Sequence, residues 1–429
     1  MQSRSHARTL LALVASAFAA APLSAQLQPS PGTCKVDVDR ELWIRDLSVV
    51  NDPVRTVYVN GSSDPSQGVW SFGRLMENMA GDNDVSEFVL DLFTDFTLDL
   101  TVNGHDVPAR ADLFTDIIQP WIDQSEANGI DGLDFSIAPF RLNGIVNRID
   151  LRTNGTYGTA NSAGEGRIVF SFLRDGEATL GTLILEYELL ADDCADVLAW
   201  AERWHDLGQI PFGEAYNKEL EKLVNLFAGA GAAPGRPNDS AISQVRTNEI
   251  LGLFPWQWRE WHLDANTGFL DQATVAQTIQ TSLNGTKLLR DYVNENEAAI
   301  LAGEHVVPLQ YQGQPFRGGS SDGGDDGLTA FFAAPGILDN DARHVFSLNH
   351  CVACHTTETG TGFFHSSPRS LNSETFLSGF LTGITVQDPV DPNKKRSFND
   401  LKRRVDDLCT LLGSSCTQIS NEKPLVRVH

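Results

Sequence analysis

Two cysteines and a histidine lie close together in the last fifth of the chain, in the run Cys351-Val-Ala-Cys354-His355. Residues three and four apart share one side of a helical turn, so two thiols can bond the edge of one ring while the imidazole reaches a metal at its centre. This CxxCH spacing is the pattern of covalent haem c attachment. It predicts thioether links at Cys351 and Cys354 and an axial iron ligand at His355.

The same residues allow two other interpretations. Zinc could bind Cys351, Cys354 and His355 with His365 or His350 as a fourth ligand, because zinc prefers four nitrogen and sulfur ligands in a tetrahedron. The adjacent Cys354 and His355 would reach one ion only awkwardly, which argues against zinc. A disulfide between Cys351 and Cys354 is the third interpretation and requires an oxidising compartment.

The first 25 residues have the pattern of a secretory signal peptide. Arg4 and Arg8 precede the apolar run LLALVASAFAAAPLSA, and small residues favour cleavage after Ala25. No later segment offers the roughly 18 apolar residues that a membrane span needs. We expect an exported protein, periplasmic or extracellular, without a membrane span. Export favours the haem interpretation, since haem c is attached after translocation.

The chain of 429 residues is acidic, with a formal net charge of −24. Nucleic acids and anionic lipids repel such a chain, so neither is expected as a partner. The acidity itself is typical of a well-solvated surface. A hydrophobic content of 41% and eight tryptophans indicate a sizeable buried core.

Apolar periodicity predicts an α+β fold. Alternation in GRIVFSFL and LGTLILEYELL, on either side of RDGE, predicts an antiparallel hairpin between Ile145 and Leu190. Helical spacing predicts a helix capped by Ser86, and two more in DVLAWAERWHDL and AYNKELEKLVNLF. The run SFNDLKRRVDDLCTLLG predicts a further helix, with Ser397 as its cap and Gly413 as its end.

Composition suggests a division of the mature chain. We predict an α+β domain of unknown role at residues 26–312, a Gly- and Asp-rich linker at 313–340, and a mainly helical haem-binding segment at 341–429. The linker carboxylates Asp322, Asp325 and Asp326 lack the EF-hand calcium pattern, so a solvated linker is favoured.

The run ARHVFSLNHCVACHTTETGTGFFH resembles the attachment segment of c-type cytochromes, with an aromatic-bearing helix before CxxCH and a Thr- and Gly-rich turn after it. The resemblance covers about residues 341–412. It implies haem thioethers at Cys351 and Cys354 and iron ligation at His355, and it implies no substrate. Elsewhere, VNDPVRT, FGRLMENM, VNRIDLR and GEGRIVF are similar to a group of uncharacterised exported bacterial proteins.

The sixth iron ligand departs from the cytochrome pattern. Small cytochromes c supply a methionine downstream of the motif, but the methionines here are Met1, Met76 and Met79, all upstream. We therefore predict His365 as the sixth ligand, with Met76, Met79, another histidine or an open position as alternatives. Two imidazoles would suit electron transfer, whereas an open position would bind peroxide or another small ligand.

Three classes of function follow. The first is an exported single-haem protein that passes electrons between partners, either redox proteins or small-molecule donors and acceptors. The second is a haem enzyme acting on peroxide or another small ligand, so enzymatic activity is left open. The third is a non-redox protein that binds carbohydrate or protein, with zinc or a disulfide at CxxCH. The cluster Trp256, Trp258, Trp261 and His262 could bind the carbohydrate, or it could form a wall of the haem pocket. Large aromatic residues more often lie in the core.

The remaining cysteines are expected to form structural disulfides outside the cytoplasm. They are Cys34, Cys194, Cys409 and Cys416, which allow three pairings. We favour Cys409 with Cys416, as a clamp on the last helix, which leaves Cys34 with Cys194.

Two groups of charged residues could serve the site. A general acid and base could be assembled from the set Arg148, Asp150, Arg152, Glu165 and Arg167, but charges beside strands commonly pair across a sheet. Glu358, Arg369 and Arg343 could neutralise haem propionates, although solvated surface charges are the favoured interpretation. His205 is expected in the core.

Overall fold

The computed structural model describes residues 34–152, 162–250, 256–323 and 331–416. The predicted signal peptide lies outside these ranges, as do Asp325 and Asp326 of the predicted linker. Within the described ranges, no helix is long and apolar enough to cross a membrane.

Helices and antiparallel strands alternate along the described chain, which confirms the α+β class. The helices are α1 (Leu47–Val50), α2 (Phe72–Ala80), α3 (Val85–Thr94), α4 (Ala111–Leu113), α5 (Gln119–Ala127), α6 (Cys194–Leu207), α7 (Glu214–Ala228), α8 (Lys287–Glu295), α9 (Glu297–Leu301), α10 (Asn340–Leu348), α11 (Cys351–Cys354), α12 (Gly379–Thr382) and α13 (Asp400–Leu412). The strands are β1 (Trp43–Ile44), β2 (Leu100–Val102), β3 (His105–Val107), β4 (Phe140–Arg148), β5 (Ser162–Arg174), β6 (Glu177–Leu190), β7 (Ile242–Glu249), β8 (Gln257–Leu263), β9 (Leu270–Ala273), β10 (Gln310–Tyr311), β11 (Gln314–Pro315), β12 (Ser321–Asp322), β13 (Ile384–Gln387) and β14 (Lys395–Phe398).

An eight-stranded antiparallel sheet forms the centre of the fold, in the order β1-β4-β5-β6-β7-β8-β12, with β9 also paired to β8. The predicted hairpin is confirmed as β5 and β6, which pair from Ser162↔Leu190 to Arg174↔Glu177. Asp175 and Gly176 connect them with φ values of 53° and 77°. Two consecutive positive φ values match the twist of a tight hairpin, and Asp-Gly adopts them readily.

One face of this sheet is apolar. A row of directly paired residues crosses it, formed by Ile145, Ile168, Leu185, Val245 and Trp261. Helices cover this face: Phe72 of α2 lies edge-on to Phe170 of β5, with ring centres 6.0 Å apart, and Phe227 of α7 contacts Tyr187 of β6 at 5.8 Å. This side of the sheet therefore holds the larger hydrophobic core.

The opposite face is buried but polar. One of its rows pairs Val146, Arg167, Glu186 and Gln244 across four strands. The arginine is nearly buried and the glutamate and glutamine are buried. Because uncompensated charge is costly to bury, such a face must be matched by charges or by a ligand from the layer above it. That layer is built from the carboxyl-terminal residues.

The carboxyl-terminal segment holds α10 to α13, together with the hairpin of β13 and β14. Its Leu377, Phe380 and Leu408 belong to the same core cluster as the amino-terminal helices. The segment predicted as a linker supplies β11 and also β12, which pairs with β8 in the main sheet. The boundary between the two parts stays a prediction.

Two predicted helix caps are wrong by a few residues. Helix α3 is capped by Asp84, whose carboxylate accepts from the Glu87 amide, and Ser86 Oγ accepts instead from the Leu133 amide. Helix α13 is capped by Asn399, because Ser397 belongs to β14. In both cases a neighbouring Asp or Asn, which is at least as good a cap as serine, takes the position. Gly413 ends α13 as predicted.

The predicted disulfide pairing is wrong. Cys34 bonds Cys409 and Cys194 bonds Cys416, with Cα–Cα distances of 5.7 and 5.4 Å. Helix α13 packs against α6 and against the π-helix Val38–Leu42, which places Cys409 and the following Cys416 beside amino-terminal partners. Both bonds therefore hold the last helix onto the rest of the protein.

Replacing Cys34 and Cys409 together with alanine is expected to lower the free energy of unfolding by about 2–5 kcal/mol, because the bond closes a long loop. Denaturant titration measures the loss. Peptide mapping without reduction should join the peptides of Cys34 and Cys409. A peptide joining Cys409 to Cys416 would contradict the observed topology.

Candidate functional site

The CxxCH residues form a single helical turn. Helix α11 spans Cys351–Cys354, and the amide of His355 donates to the Cys351 carbonyl at 2.9 Å. This geometry places both thiols and the imidazole along one turn, as the spacing predicts. Both thiols are buried and neither is in a disulfide. Burial raises the pKa of Cys351 to about 11, so its thiol is protonated at neutral pH.

The ring of His355 is oriented by a backbone carbonyl. Its Nδ1 lies 2.7 Å from the oxygen of Phe363, so the proton sits on Nδ1 and the lone pair on Nε2. Phe363 has a φ of 68°, which is unusual for a bulky residue and turns this carbonyl toward the histidine. Burial lowers the pKa of His355 to about 4, which keeps the ring neutral. A neutral imidazole with a hydrogen-bonded Nδ1 is the usual state of a metal-binding histidine.

His365, which the sequence analysis predicts as the sixth iron ligand, lies beside this turn. Its Nε2 lies 3.3 Å from the sulfur of Cys354, and its Nδ1 lies 2.8 Å from Ser378 Oγ. Burial, followed by the nearby His355, holds the pKa of His365 well below its usual range. The fold thus brings Cys354, His355 and His365 together.

The two imidazoles are close to each other. The ring centres of His355 and His365 are 4.3 Å apart. Two imidazoles bound on opposite sides of one metal ion have centres roughly 6 Å apart, because each metal–nitrogen bond is about 2.0 Å. The rings must therefore separate before both can bind one ion. The alternatives Met76 and Met79 are buried in α2 and are not among the residues that line the cavity beside His355.

A cavity of about 60 Å³ lies between the polar face of the sheet and this segment. This volume is well below the roughly 300–1,000 Å³ of small-molecule sites, so a haem could enter only if the surrounding side chains moved apart. The walls are mostly apolar, with histidines at one end and three arginines nearby. The lining residues are Trp43, Val146, Arg148, Arg167, Val169, Thr182, Ile184, Asn248, Trp258, His355, His365, Ser366, Phe380, Leu381 and Arg404.

Several donors at this cavity lack an acceptor. Among the described residues, Arg404 Nη1 and the Nε1 atoms of Trp43 and Trp258 are buried and make no hydrogen bond. Burial lowers the pKa of Arg404 to about 10, so it remains a cation at neutral pH. Buried donors without partners are costly, and an acidic ligand would satisfy them. The propionates of a haem are acceptors of this kind, although neither Cys351 nor Cys354 is among the residues that line the cavity.

The arginines of the cavity belong to a buried ion-pair network. Arg148 Nε donates to Asp150 at 2.9 Å, and Arg403 of α13 contacts the same carboxylate at 2.7 Å. Arg404 pairs with Asp400 at 2.7 Å. The network joins the end of β4 to α13 and so fixes Arg404 over the cavity.

The charged set predicted from the sequence is brought together in part. Arg167 contacts Glu165 at 2.7 Å and Glu186 at 3.3 Å across the polar face. Arg152 instead pairs with Asp407 of α13. Pairing along β5, across to β6 and with α13 therefore accounts for Arg167 and Arg152, as the alternative interpretation expects of charges beside strands.

Glu358, Arg343 and Arg369 are not solvated surface charges, which corrects the favoured prediction. Glu358 is fully buried and pairs with Arg343 and with His344 Nδ1 at 2.6 Å. This pairing holds the turn after CxxCH against α10. Arg369 is buried and donates to the carbonyls of Leu142 and Val50, so it holds the chain rather than a ligand.

The chain matches no protein-family model, and no curated protein or solved structure is significantly similar to it.

The tryptophan cluster forms walls rather than an exposed platform for sugars. Trp256, Trp258 and Trp261 are all buried. The rings of Trp256 and Trp258 have centres 5.7 and 4.9 Å from that of His355, whereas Trp261 lies on the apolar face. His262 is exposed and contacts Glu260 at 2.8 Å.

The zinc and disulfide interpretations gain no support from the geometry. In the parts of the chain that the structure describes, no three or more His, Cys, Asp or Glu residues are grouped so that they could hold a metal ion.

His205 is half-buried, and its Nδ1 lies 2.8 Å from a carboxylate oxygen of the buried Glu41.

Sequence reasoning missed part of the site. Trp43, Asn248, Phe380 and Arg404 line the cavity but come from four separate elements or loops. In β5, Glu165, Arg167 and Val169 alternate with Ile168 and Phe170, which is typical of a strand with one solvated face, so no signal in the sequence indicated that this polar face is buried.

Proposed function

We propose that this is an exported protein with one covalently bound haem c, which transfers electrons outside the cytoplasm. Cys351 and Cys354 would form the thioether links, each thiol adding across one vinyl group, and His355 would bind the iron. A bound haem supplies a one-electron iron couple. The observation that carries the proposal is the CxxCH turn, in which both thiols are free of disulfides and His355 is oriented by the Phe363 carbonyl.

The residues of the cavity have separate roles in this proposal. Arg404 and the indole donors of Trp43 and Trp258 would bind the propionates. Phe380 and Trp258 would exclude water from the ring, which favours electron transfer over side reactions. The two disulfides support a location in an oxidising compartment.

Intact-mass measurement under denaturing conditions tests the attachment. The full chain would be exported from a host that matures haem c and, in parallel, from one that does not. We expect the first sample alone to carry the extra mass of one haem. The bare mass in both samples would contradict the proposal.

Replacing His365 with alanine tests the sixth ligand. We expect the variant to keep its covalent haem and to change from a six-coordinate low-spin to a high-spin ferric spectrum, because one imidazole is lost. The exposed His262→Ala is the matched control and should leave the spectrum unchanged. An unchanged spectrum in His365→Ala would mean that the sixth ligand is another group or that the sixth position is open.

An open sixth position would favour the second candidate function, a haem enzyme acting on peroxide or another small ligand. The observation in its favour is that His365 contacts Cys354 and Ser378 and lies too near His355 to share a metal ion with it without moving. Binding of cyanide by the unaltered protein would distinguish this candidate from the electron carrier.

A further inference from the structure

The small cavity between the polar face of the sheet and the carboxyl-terminal segment is lined by cations. Arg148, Arg167 and Arg404 are among its lining residues. No aspartate or glutamate of the described chain is among them, although carboxylates pair with these arginines nearby. The wall therefore presents guanidinium groups to the cavity, which suits a ligand that accepts hydrogen bonds and carries negative charge.

Three residues of the wall hold donors that the described chain leaves unused. Arg404 is 3% exposed, its Nε donates to Asp400 at 2.7 Å, and its Nη2 lies 2.7 Å from the same oxygen. Arg404 Nη1 makes no hydrogen bond within the described residues, and the same holds for the buried indole Nε1 atoms of Trp43 and Trp258. Because a buried donor without an acceptor is costly, an acceptor that entered the cavity would be stabilised by these groups.

The charge of such a ligand is limited, because each lining arginine already has a buried carboxylate partner. The pairs are Arg148 with Asp150, Arg167 with Glu165, and Arg404 with Asp400. An entering anion therefore meets no unpaired cation among these three, and only the unused N–H donors offset its charge. A divalent anion such as sulfate would bury two charges in this way, which is costlier than burying one. The wall thus favours a ligand with a single negative charge.

The rest of the wall indicates a short apolar tail on the ligand. Val146 of β4, Val169 of β5, Ile184 of β6 and Phe380 of α12 also line the cavity. One water needs roughly 10–15 Å³ of such space, so a cavity of about 60 Å³ takes a ligand of about four to six non-hydrogen atoms. A carboxylate on a short alkyl chain combines this size with one negative charge and an apolar tail.

We propose that this cavity binds a free short-chain monocarboxylate of the size of acetate or propanoate. The carboxylate accepts hydrogen bonds from Arg404 Nη1 and the indole groups, and the alkyl chain packs against Val146 and Val169. The site does not depend on the proposed function, because its donors and its volume belong to the chain without haem. A haem propionate carries the same carboxylate, so the two ligands compete for these donors.

Calorimetric titration of the full chain, exported from a host that does not mature haem c, tests the site. We expect sodium propanoate to bind saturably, with one equivalent per chain. Sodium sulfate at the same ionic strength should give no saturable binding, because the donors offset only a single charge. Saturable binding of sulfate, or no saturable binding of propanoate, would overturn the proposal.

Replacing Trp258 with phenylalanine tests whether propanoate lies in this cavity. The substitution removes one donor and keeps an aromatic wall, so we expect propanoate to bind about tenfold more weakly. Trp70→Phe is the matched control, since Trp70 is also buried with an unpartnered Nε1 but is not among the lining residues. Should Trp258→Phe fail to fold, Trp43→Phe takes its place. An unchanged affinity in the cavity variant, or the same loss in Trp70→Phe, would refute the site.

The same titration of the chain that carries haem distinguishes the two sources of carboxylate. If haem propionates occupy the donors, propanoate should bind the haem-free sample alone. Binding to both samples would support the free site and contradict the propionate role given to Arg404. A chain that never acquires haem and binds propanoate would overturn the proposed function alone, whereas a haem protein whose haem-free form binds no propanoate would overturn this site alone.

Discussion

Replacing Asp150 with asparagine is expected to lower the free energy of unfolding by about 3–5 kcal/mol. The Asp150 carboxylate is buried and shared by Arg148 and Arg403. Asparagine has nearly the same shape, but it leaves these two cations and Arg404 with only Asp400 to balance them. Uncompensated buried charge is the physical reason for the large effect.

The effect of this variant should depend on pH. Arg148 and Arg403 hold the pKa of Asp150 well below its usual value, although burial opposes them. The stabilisation is therefore fully present above the unfolded pKa of about 3.9 and is lost as pH falls toward the folded pKa. Denaturant titrations of both proteins at pH 7 and near pH 3 measure the difference.

The control for Asp150 is a pair of the same chemistry on the surface. Asp116 contacts Arg174 at 2.8 Å, with both side chains about half exposed. Asp116→Asn should cost at most about 1 kcal/mol. Equal effects of the two substitutions would contradict the role given to the buried network.

Replacing Cys351 and Cys354 together with alanine is expected to abolish covalent haem attachment. In the proposed attachment each thiol would form one of the two bonds, and the other four cysteines are held in disulfides and so cannot substitute for them. The readout is a haem stain on a denaturing gel. The disulfide variant Cys34→Ala with Cys409→Ala serves as the control and should keep the stain. A stain that persists in the Cys351 and Cys354 variant would contradict the attachment.

The helical geometry of the CxxCH turn could be predicted because it is local in sequence. The two thiols and the imidazole lie within five consecutive residues, and helix geometry alone places them on one side. The hairpin of β5 and β6 was predictable for a similar reason, since Asp175-Gly176 and the alternation beside it specify a turn and two strands.

The cavity walls could not be predicted, because they depend on the order of strands in the sheet. Trp43, Arg148 and Arg404 are far apart in the chain and meet only after β1, β4 and α13 have packed. The prediction of the disulfide pairing is wrong for the same reason. Cys409 and Cys416 are close in sequence, but packing of α13 against α6 places them beside Cys34 and Cys194. The sequence analysis also placed Glu358 and Arg343 on the surface. They are buried, and their ion pair offsets the cost of burying the two charges.

The visible spectrum of the protein, exported from a host that matures haem c, is the most direct test of haem binding. Oxidised and reduced samples of the full chain would be compared. We expect a coloured protein with a sharp reduced spectrum, and we expect the haem colour to remain with the chain after denaturation. A colourless protein from a host that matures its other haem c proteins would contradict haem binding, and the function of the cavity would then have to be sought in an acidic ligand other than haem.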